Sequence, residues 1–437
     1  MKKLFGTDGI RGKAYEYPLD QRTIFNLGRV IGKNLKKESV FLIGIDTRES
    51  SPHLASYLFS GLKSLGVEPI FLGVLSTPAL SWLTKIIENC EISVMISASH
   101  NPYQDNGLKF FSKEGTKLPD REEEIIENML EKEKEKVINY PLPEPDKEIK
   151  KKYEKWVLSL FQKNFLENLK IVLDTANGSL AGFAQKIFKK FGAKIYSVGA
   201  NPNGKNINKK VGSLYPKKAI EKLNKTKADL AICFDGDGDR VSFVLPPDKI
   251  LDGDDLLYIL ALNFKEKGIL KDGVVATSMS NLALEVALKK EKISLYRTNV
   301  GDKFVYEELK KKDLILGGEQ SGHIILRNLS NTGDGLIVAL NILKILKEKK
   351  FCFEPLKKYP QKIINYPVDE KKPLEEIPSY DNFIKDLKEV IGNGRFVIRY
   401  SGTEKVLRAM FEAEKEELID LAEKKMEEFL RNNLKWK

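Results

Sequence analysis

Cysteine and histidine are scarce in this 437-residue chain, with three of each. Cys90, Cys233 and Cys352 stand far apart and in no metal-ligand spacing. Neither a disulfide framework nor a zinc site is expected, and each cysteine reads as a small core residue. No apolar run approaches the roughly 20 residues that a membrane-crossing helix needs, so no membrane partner is expected. The two lysines of the opening MKKLFGTDGIRG lead into no apolar stretch of about 7–15 residues and no small-residue cleavage site, and the expected location is the cytoplasm. The phosphate loop G-x-x-x-x-G-K-[ST] is missing too, which counts against a nucleoside triphosphatase.

What is present in quantity is charge. Lys and Arg total 73 against 62 Asp and Glu, a net charge of +11. Such an excess fits nucleic-acid binding or a lysine-rich surface. Only 12 of the 73 are arginines, the lysines sit beside glutamates on stretches that read as helical, such as Glu131 to Lys136, and no aromatic stacking motif accompanies them. The patterning describes a solvated face, and nucleic acid is not an expected partner. At roughly 150 residues per domain the length suggests about three domains, each able to bury a core.

Three stretches repeat one order of elements. VFLIGIDTRESS reads as a buried strand running into a loop at Asp46 and Thr47, followed by a helix, Gly66, the strand VEPIFLG and Gly73. ISVMISASHNPYQDNGLKFF then supplies two apolar runs around a polar loop. KIVLDTANGSLAGFAQKIFKKFGAKIYSVG repeats the plan from Asp174 to Gly199, and DLAICFDGDGDRVSFVL follows it. A weaker third copy, VVATSMSNLALEVALKKEKISLYRTNVG with LILGGEQSGHIIL, lacks the Asp-Thr pair. The repetition predicts three similar α/β domains, each a mixed sheet between helices with one polar loop between two buried strands. Pro141, Pro143 and Pro145 mark an extended linker, LPPDKILDGDD a second boundary and FCFEPLKKYPQK a third. The expected domains are 1–147, 148–247, 248–357 and a smaller C-terminal α+β domain, 358–437, with two strands around a polar loop and then a helix.

Function is expected in the loops. Asp235-Gly-Asp237-Gly-Asp239-Arg240 sets three carboxylates at alternate positions, with glycines that let the backbone curl until all three face one point. Oxygen-only ligands favour a hard dication, and Mg²⁺ suits a few carboxylates completed by a phosphate oxygen or water. An EF-hand is excluded by the apolar strand residues on both sides and by the missing twelfth-position Glu. An acidic turn is the plain alternative, but it would set three unpaired carboxylates against one another. The loop Ser97-Ala-Ser99-His100-Asn101-Pro102 offers two hydroxyls, and Lys109 follows it. A phosphorylated serine carries about −1.5 to −2 charges and would nearly balance a dication held by the aspartates. Lys109 is a candidate proton carrier if burial beside arginines depresses its pKa. Glu319, Gln320, Ser321 and His323 form the mixture that hydroxyl-rich ligands such as sugars need. Arg399, Ser401, Gly402 and Thr403, with Arg408, have the parts of a phosphate cradle. Taken singly, Ser99 reads equally as a turn residue and His323 as a structural group.

Together FGTDGIRG (5–12), SASHNP (97–102), DGDGDR (235–240), GEQSGH (318–323) and RYSGTE (399–404) resemble the α-D-phosphohexomutase superfamily, in order and across nearly the whole chain. The resemblance implies four domains around a central cleft and a phosphorylated Ser99. It implies one Mg²⁺ on Asp235, Asp237, Asp239 and that phosphoserine, with Arg11, Lys109, His100 and His323 at the reacting centre. Arg240, Gly301, Asp302, Glu319 and Ser321 would bind the sugar phosphate, while Arg399, Ser401, Gly402, Thr403 and Arg408 hold whichever phosphate is idle. Gln320, Asn206-Ile-Asn208 before Val211-Gly-Ser213, and Val300-Gly-Asp302-Lys303 look like the amino-sugar members. They imply interconversion of glucosamine 6-phosphate and glucosamine 1-phosphate, with a sugar 1,6-bisphosphate as intermediate and activator, in a monomer or homodimer supplying UDP-N-acetylglucosamine for peptidoglycan. Glucose and mannose phosphates are the alternative substrates, and a sugar-phosphate phosphatase is the alternative of another class. Tyr400 and Lys405 stand where the superfamily commonly has proline, and Val211 where the amino-sugar members usually have cysteine.

Overall fold

The computed structural model describes residues 4–6, 8–350, 353–401 and 405–434. They group into two compact units, one running to Thr277 and from Tyr296 to Phe353, the other from Ser278 to Leu295 and from Glu354 onward. The first unit uses one strand topology three times. Its first sheet holds β1 (Ile10–Lys13), β2 (Val40–Ile45), β3 (Ile70–Val74), β4 (Cys90–Ile96) and β5 (Asp105–Ser112), accompanied by α1 (Gln21–Asn34), α2 (Ser51–Lys63), α3 (Thr77–Ile86) and α4 (Asp120–Leu130). The spatial order is β1-β5-β4-β2-β3, with β2 parallel to β3 and β4, and β5 antiparallel to β4 and β1.

After α5 (Lys147–Ser159) come β6 (Lys170–Asp174), α6 (Phe183–Lys190), β7 (Lys194–Val198), α7 (Lys217–Thr226), β8 (Leu230–Phe234), β9 (Val241–Leu245) and β10 (Lys249–Leu251), ordered β10-β9-β8-β6-β7. The third copy has α8 (Gly253–Glu266), β11 (Gly273–Thr277), α9 (Leu282–Lys290), β12 (Ser294–Thr298), α10 (Asp302–Lys311), β13 (Leu316–Gly318), β14 (Ile324–Leu326) and α11 (Gly335–Glu348), ordered β12-β11-β13-β14. In every copy a parallel strand at the heart of the sheet turns through a polar loop into an antiparallel partner. β8 and β11 are buried at every position and β2 at all but Val40. That is the condition under which a strand reads as an unbroken apolar run.

The second unit is an antiparallel sheet of β15 (Gln361–Pro367), β16 (Arg395–Tyr400) and β17 (Val406–Glu412), ordered β15-β17-β16, with α12 (Tyr380–Ile391) and α13 (Glu416–Asn433). Its core includes Phe383 stacked on Phe429, ring centroids 4.3 Å apart. The expected pair of strands and final helix are β16, β17 and α13; β15 and α12 add to them.

The structure corrects one local expectation. Glu131–Lys136 is not helical: α4 ends at Leu130, and Glu133 is drawn onto α1 by Arg29 at 2.7 Å and Lys33 at 2.5 Å. The second sheet runs on to Leu251 because β10 pairs with β9. Helix α9 groups with the second unit, where Leu282 N donates to Glu412 Oε1 at 3.0 Å. Cys90 and Cys233 are buried, and burial pushes the Cys90 thiol up to about 12. Cys352 lies outside the described residues.

Helix α11 braces the aspartate loop through Gly335 N, which donates to Gly238 O at 3.1 Å. Its N-cap, Asp334, is 2% exposed and accepts from Tyr153 Oη at 2.6 Å and Ile337 N at 3.0 Å. Burial outweighs those bonds and raises its carboxyl from 3.8 to about 6. Its contribution to stability is complete below about pH 3.8 and is lost as the pH rises through 6. Above that the buried charge costs roughly 3 kcal/mol. Asp334→Asn keeps Oδ1 as the acceptor for Ile337 N and turns its NH2 toward Tyr153 Oη, which can accept in place of donating, so urea denaturation should find it more stable than the parent at pH 8 and flatter between pH 4 and 7. A less stable variant at pH 8 would refute this.

Candidate active site

Each polar loop sits at the end of a parallel strand: residues 97–104 between β4 and β5, 235–240 between β8 and β9, 319–323 between β13 and β14. The first two meet at Ser99, whose Oγ donates to Asp235 Oδ2 at 2.7 Å. Ser99 is 1% exposed and adopts φ +50°, a left-handed conformation that disfavours any residue with a Cβ. Its loop is held by Arg48, at the exit of β2. Arg48 is completely buried, pairs with Asp46 through Nε at 2.8 Å and donates to the carbonyls of Ser99, Asn101, Pro102 and Asp105. Asp46 also accepts from Ser97 Oγ at 2.7 Å, and Ser97 Oγ in turn accepts from Ser99 N at 3.0 Å.

The three aspartates each bring a carboxylate oxygen to within 4.8 Å of the others. Burial, then the charges of Asp239 and Asp237, push Asp235 well above the usual carboxylate range. Asp237 goes the other way: burial raises it, but Lys109 and a bond from Thr77 Oγ1 at 2.6 Å outweigh burial and hold it ionised. Both of those partners are on Oδ2, leaving Asp237 Oδ1 buried with no hydrogen bond, as is Asp239 Oδ1. Unsatisfied buried carboxylate oxygens aimed at one point fit a hard dication, the donor set expected for Mg²⁺.

Lys109 contradicts the depressed pKa expected of a proton carrier. Burial pulls it down, but Asp237, Asp8 and Asp239, at 2.9, 3.2 and 3.4 Å, outweigh burial and keep the ammonium charged. His100 lies 3.4 Å from Ser99 Oγ through Nδ1, and burial, reinforced by Arg240 and Arg11, drives its pKa down to about 3. Arg11 pairs with Asp8, and Lys117 links Asp8 to Asp302. His323 Nε2 is 3.7 Å from Asp302 and 4.0 Å from Asp239. Arg240 bridges to His323 through the backbone, which joins the aspartate loop to the third loop. Glu319 Oε1 accepts from Gly301 N at 3.1 Å and Oε2 lies 3.4 Å from Ser321 Oγ. Gln320 Nε2 faces Asp252 at 3.4 Å.

The first unit thus gathers Ser99, His100, the three aspartates, Arg240, Glu319, Ser321 and His323 on three adjoining loops, with Arg11 from β1, Lys109 from β5 and Gly301 and Asp302 from the start of α10. In the second unit Arg399 and Arg408 face each other across β16 and β17. Burial and then Arg408 lower the Arg399 pKa, and Lys371 Nζ donates to Ser401 O at 2.6 Å. Opposed guanidiniums favour an anion between them. Gly402 and Thr403 lie outside the described residues. Asp8, Arg48, Thr77 and Lys117 were not among the expected site residues; only the Asp-Thr repeat at Asp46 hinted at one of these loops. Arg48→Met takes the guanidinium partner from buried Asp46 and one donor from each of four carbonyls, and should cost about 3–5 kcal/mol in thermal or urea denaturation. A loss below about 1 kcal/mol would show that the buried pair matters little.

Models of the phosphoglucomutase/phosphomannomutase domains match nearly end to end: α/β/α domain I at residues 2–137, domain II at 149–247, domain III at 252–364 and the C-terminal domain at 363–428. The chain is 41% identical to a phosphoglucosamine mutase of Bdellovibrio bacteriovorus, with 96% of each chain covered. A phosphoglucomutase/phosphomannomutase family protein of Burkholderia thailandensis shares the fold at a TM-score of 0.80 and 19% identity, covering 99% of each chain. The N-acetylphosphoglucosamine mutase of Aspergillus fumigatus, solved with GlcNAc-6P and magnesium, superposes at 0.62 with 19% identity, covering 97% of this chain and 94% of that one. With the five loops in their order, the repeated sheets and these relatives, the chain belongs to the α-D-phosphohexomutase superfamily.

Proposed function

We propose that the chain interconverts glucosamine 6-phosphate and glucosamine 1-phosphate, the phosphoglucosamine mutase reaction, with Ser99 as phosphoryl carrier. The observation that carries this is Ser99 Oγ at 2.7 Å from Asp235, inside a carboxylate cluster with two unpartnered oxygens. Phosphoserine 99 gives its phosphoryl group to the free hydroxyl of the sugar phosphate: a new P–O bond forms as the P–Oγ bond breaks, the sugar hydroxyl loses its proton and Oγ gains one. The product is the 1,6-bisphosphate, which turns around and returns its other phosphoryl group to Ser99. Asp235, Asp237 and Asp239 would hold Mg²⁺ together with the phosphoserine. When bound, that ion neutralises charge on the group in transit.

The protein's own cations have fixed tasks in this reading. Lys109, kept charged, and Arg240 stabilise the negative charge that develops on the phosphoryl oxygens, and Arg11, oriented by Asp8, stands behind them. His100, neutral at physiological pH, accepts a hydrogen bond rather than a proton. Glu319 and Ser321, with Gly301, Asp302 and His323 alongside, bind the sugar hydroxyls and amine. Arg399, Ser401, Gly402, Thr403 and Arg408 grip the idle phosphate, turning remote binding energy into positioning. The domains would be 1–147, 148–247, 248–357 and 358–437. The enzyme would act in the cytoplasm as a monomer or homodimer, activated by its bisphosphate.

The test is a coupled mutase assay on Ser99-phosphorylated protein with Mg²⁺ and a trace of bisphosphate. Glucosamine 6-phosphate should exceed glucose and mannose 6-phosphates in kcat/KM, and Ser99→Ala should fall to background. Preference for glucose or mannose phosphate would move the chain to another branch of the superfamily. Inorganic phosphate release without isomerisation would make it a phosphatase. Chelation with EDTA should abolish turnover, and Mg²⁺ should restore it. Asp239→Asn should weaken Mg²⁺ binding by calorimetry; unchanged binding would place the ion elsewhere.

A further inference from the structure

The Ser99 loop is gripped from two sides. Arg48 donates to the carbonyls of Ser99 and Asn101 at 2.9 Å each. The same two carbonyls accept from Nδ2 of Asn208, a residue of the second repeat, at 2.8 and 3.0 Å. A side-chain amide nitrogen has two hydrogens and accepts nothing, so facing two carbonyls fixes the orientation of Asn208: turned over, its oxygen would oppose both. Its own backbone is held as well, at φ +58°, with its N–H donating to Ala176 O at 2.8 Å. Between Asp235 and Asp237, Gly236 packs into the same corner. A Cβ at Gly236 would stand 2.6 Å from Ser99 O and 2.9 Å from Asn208 Nδ2. The serine loop, the aspartate loop and the Asn208 turn therefore meet without slack.

We propose that Asn208 is a positioning residue for phosphoryl transfer: its amide fixes the Ser99–Asn101 backbone of the first repeat against the aspartate loop of the second, and so fixes Ser99 Oγ relative to Asp235. The inference rests on the mutase reading. Arg48 orients the serine loop within its own sheet; Asn208 carries that orientation across to the residues proposed to hold the metal. It touches neither sugar nor phosphate in this scheme. Its loss should therefore appear in the transfer step and leave substrate affinity alone, since a displacement of about 1 Å costs on the order of 10²-fold in rate.

Two variants separate the contributions. Asn208→Ala removes both donors, whereas Asn208→Asp keeps the shape and turns oxygen toward the two carbonyls. Each is given glucose 1,6-bisphosphate and Mg²⁺, and single-turnover phosphorylation of Ser99 is followed by intact-protein mass, beside steady-state kcat and KM and melting with and without Mg²⁺. Both should phosphorylate on the order of 10²-fold more slowly than the parent. KM for glucosamine 6-phosphate should stay within about twofold, with stabilisation by Mg²⁺ retained. Asn208→Ala phosphorylating at the parental rate would overturn the proposal, as would a deficit that vanishes below the variant's melting range, which would mark a merely structural role. If the parent itself takes no phosphoryl group from the bisphosphate while melting shows Mg²⁺ bound, the mutase reading falls first and this inference with it.

Discussion

The mutual repulsion of three buried carboxylates governs how the first unit is built. With ligand oxygens within 4.8 Å of one another, each pair repels by roughly 3–4 kcal/mol at an effective dielectric of about 20. Within the five residues from Asp235 to Asp239 only the Gly238 N–H answers, donating to Asp235 Oδ1 at 3.1 Å; the rest of the relief comes from outside them. Lys109 arrives on β5, Thr77 from the first turn of α3, and Arg240 from the end of the same loop. Lys109 and Thr77 satisfy Asp237 Oδ2 and Arg240 Nε stands 3.9 Å from Asp239 Oδ1, while Asp237 Oδ1 and Asp239 Oδ1 keep no hydrogen bond. The negative charge is therefore a reason for the first two repeats to stay together, and metal binding should tighten them.

Topology decides which groups can answer. Parallel neighbours end on the same side of a sheet, so the loop leaving β2 lies beside the loop leaving β4, and the loop leaving β6 beside the one leaving β8. This is why Arg48 reaches the Ser99 carbonyl and why Gly178 packs against Gly236, where a Cβ would come within 2.2 Å of its carbonyl oxygen. The repeated aspartates do equivalent work in both places. Asp46 binds Arg48 and Ser97, and Asp174 accepts from Ala176 N at 2.9 Å and Gly212 N at 2.8 Å. Asp46 ties the exit of β2 to that of β4, and Asp174 ties the exit of β6 to the segment that precedes α7.

The parts legible in sequence were those whose meaning is local. Buried strands showed as apolar runs, the tripled order of elements showed the topology, and glycine-spaced aspartates showed a loop that converges on a point. What escaped depends on distant partners. Arg48, Thr77 and Asp8 stand in stretches that read as ordinary turns, and their roles are set by residues about 50 to 160 positions away. Asn208 was visible only as part of a family-like segment; the structure supplies its physical role. Glu131–Lys136 had helical composition but gains more from pairing with α1 than from one further turn. Lys109 escaped because burial alone would depress its pKa, and nothing local in the sequence shows that Asp8, Asp237 and Asp239 surround it.

Ser99 shows how much structure one reactive oxygen requires. Glycine would take its left-handed conformation at little cost but has no hydroxyl to carry a phosphate. A serine there costs of order 1–3 kcal/mol. Bonds from a charged donor contribute about 1.5–3 kcal/mol each, and Arg48 places one on the Ser99 carbonyl and another on Asn101. The strain is thus held by backbone acceptors and leaves the Oγ uncommitted to anything but Asp235 and His100. Clamping the loop by its carbonyls would let the side chain change from hydroxyl to phosphate ester and back while its anchor stays unchanged, as the carrier role proposed for Ser99 requires.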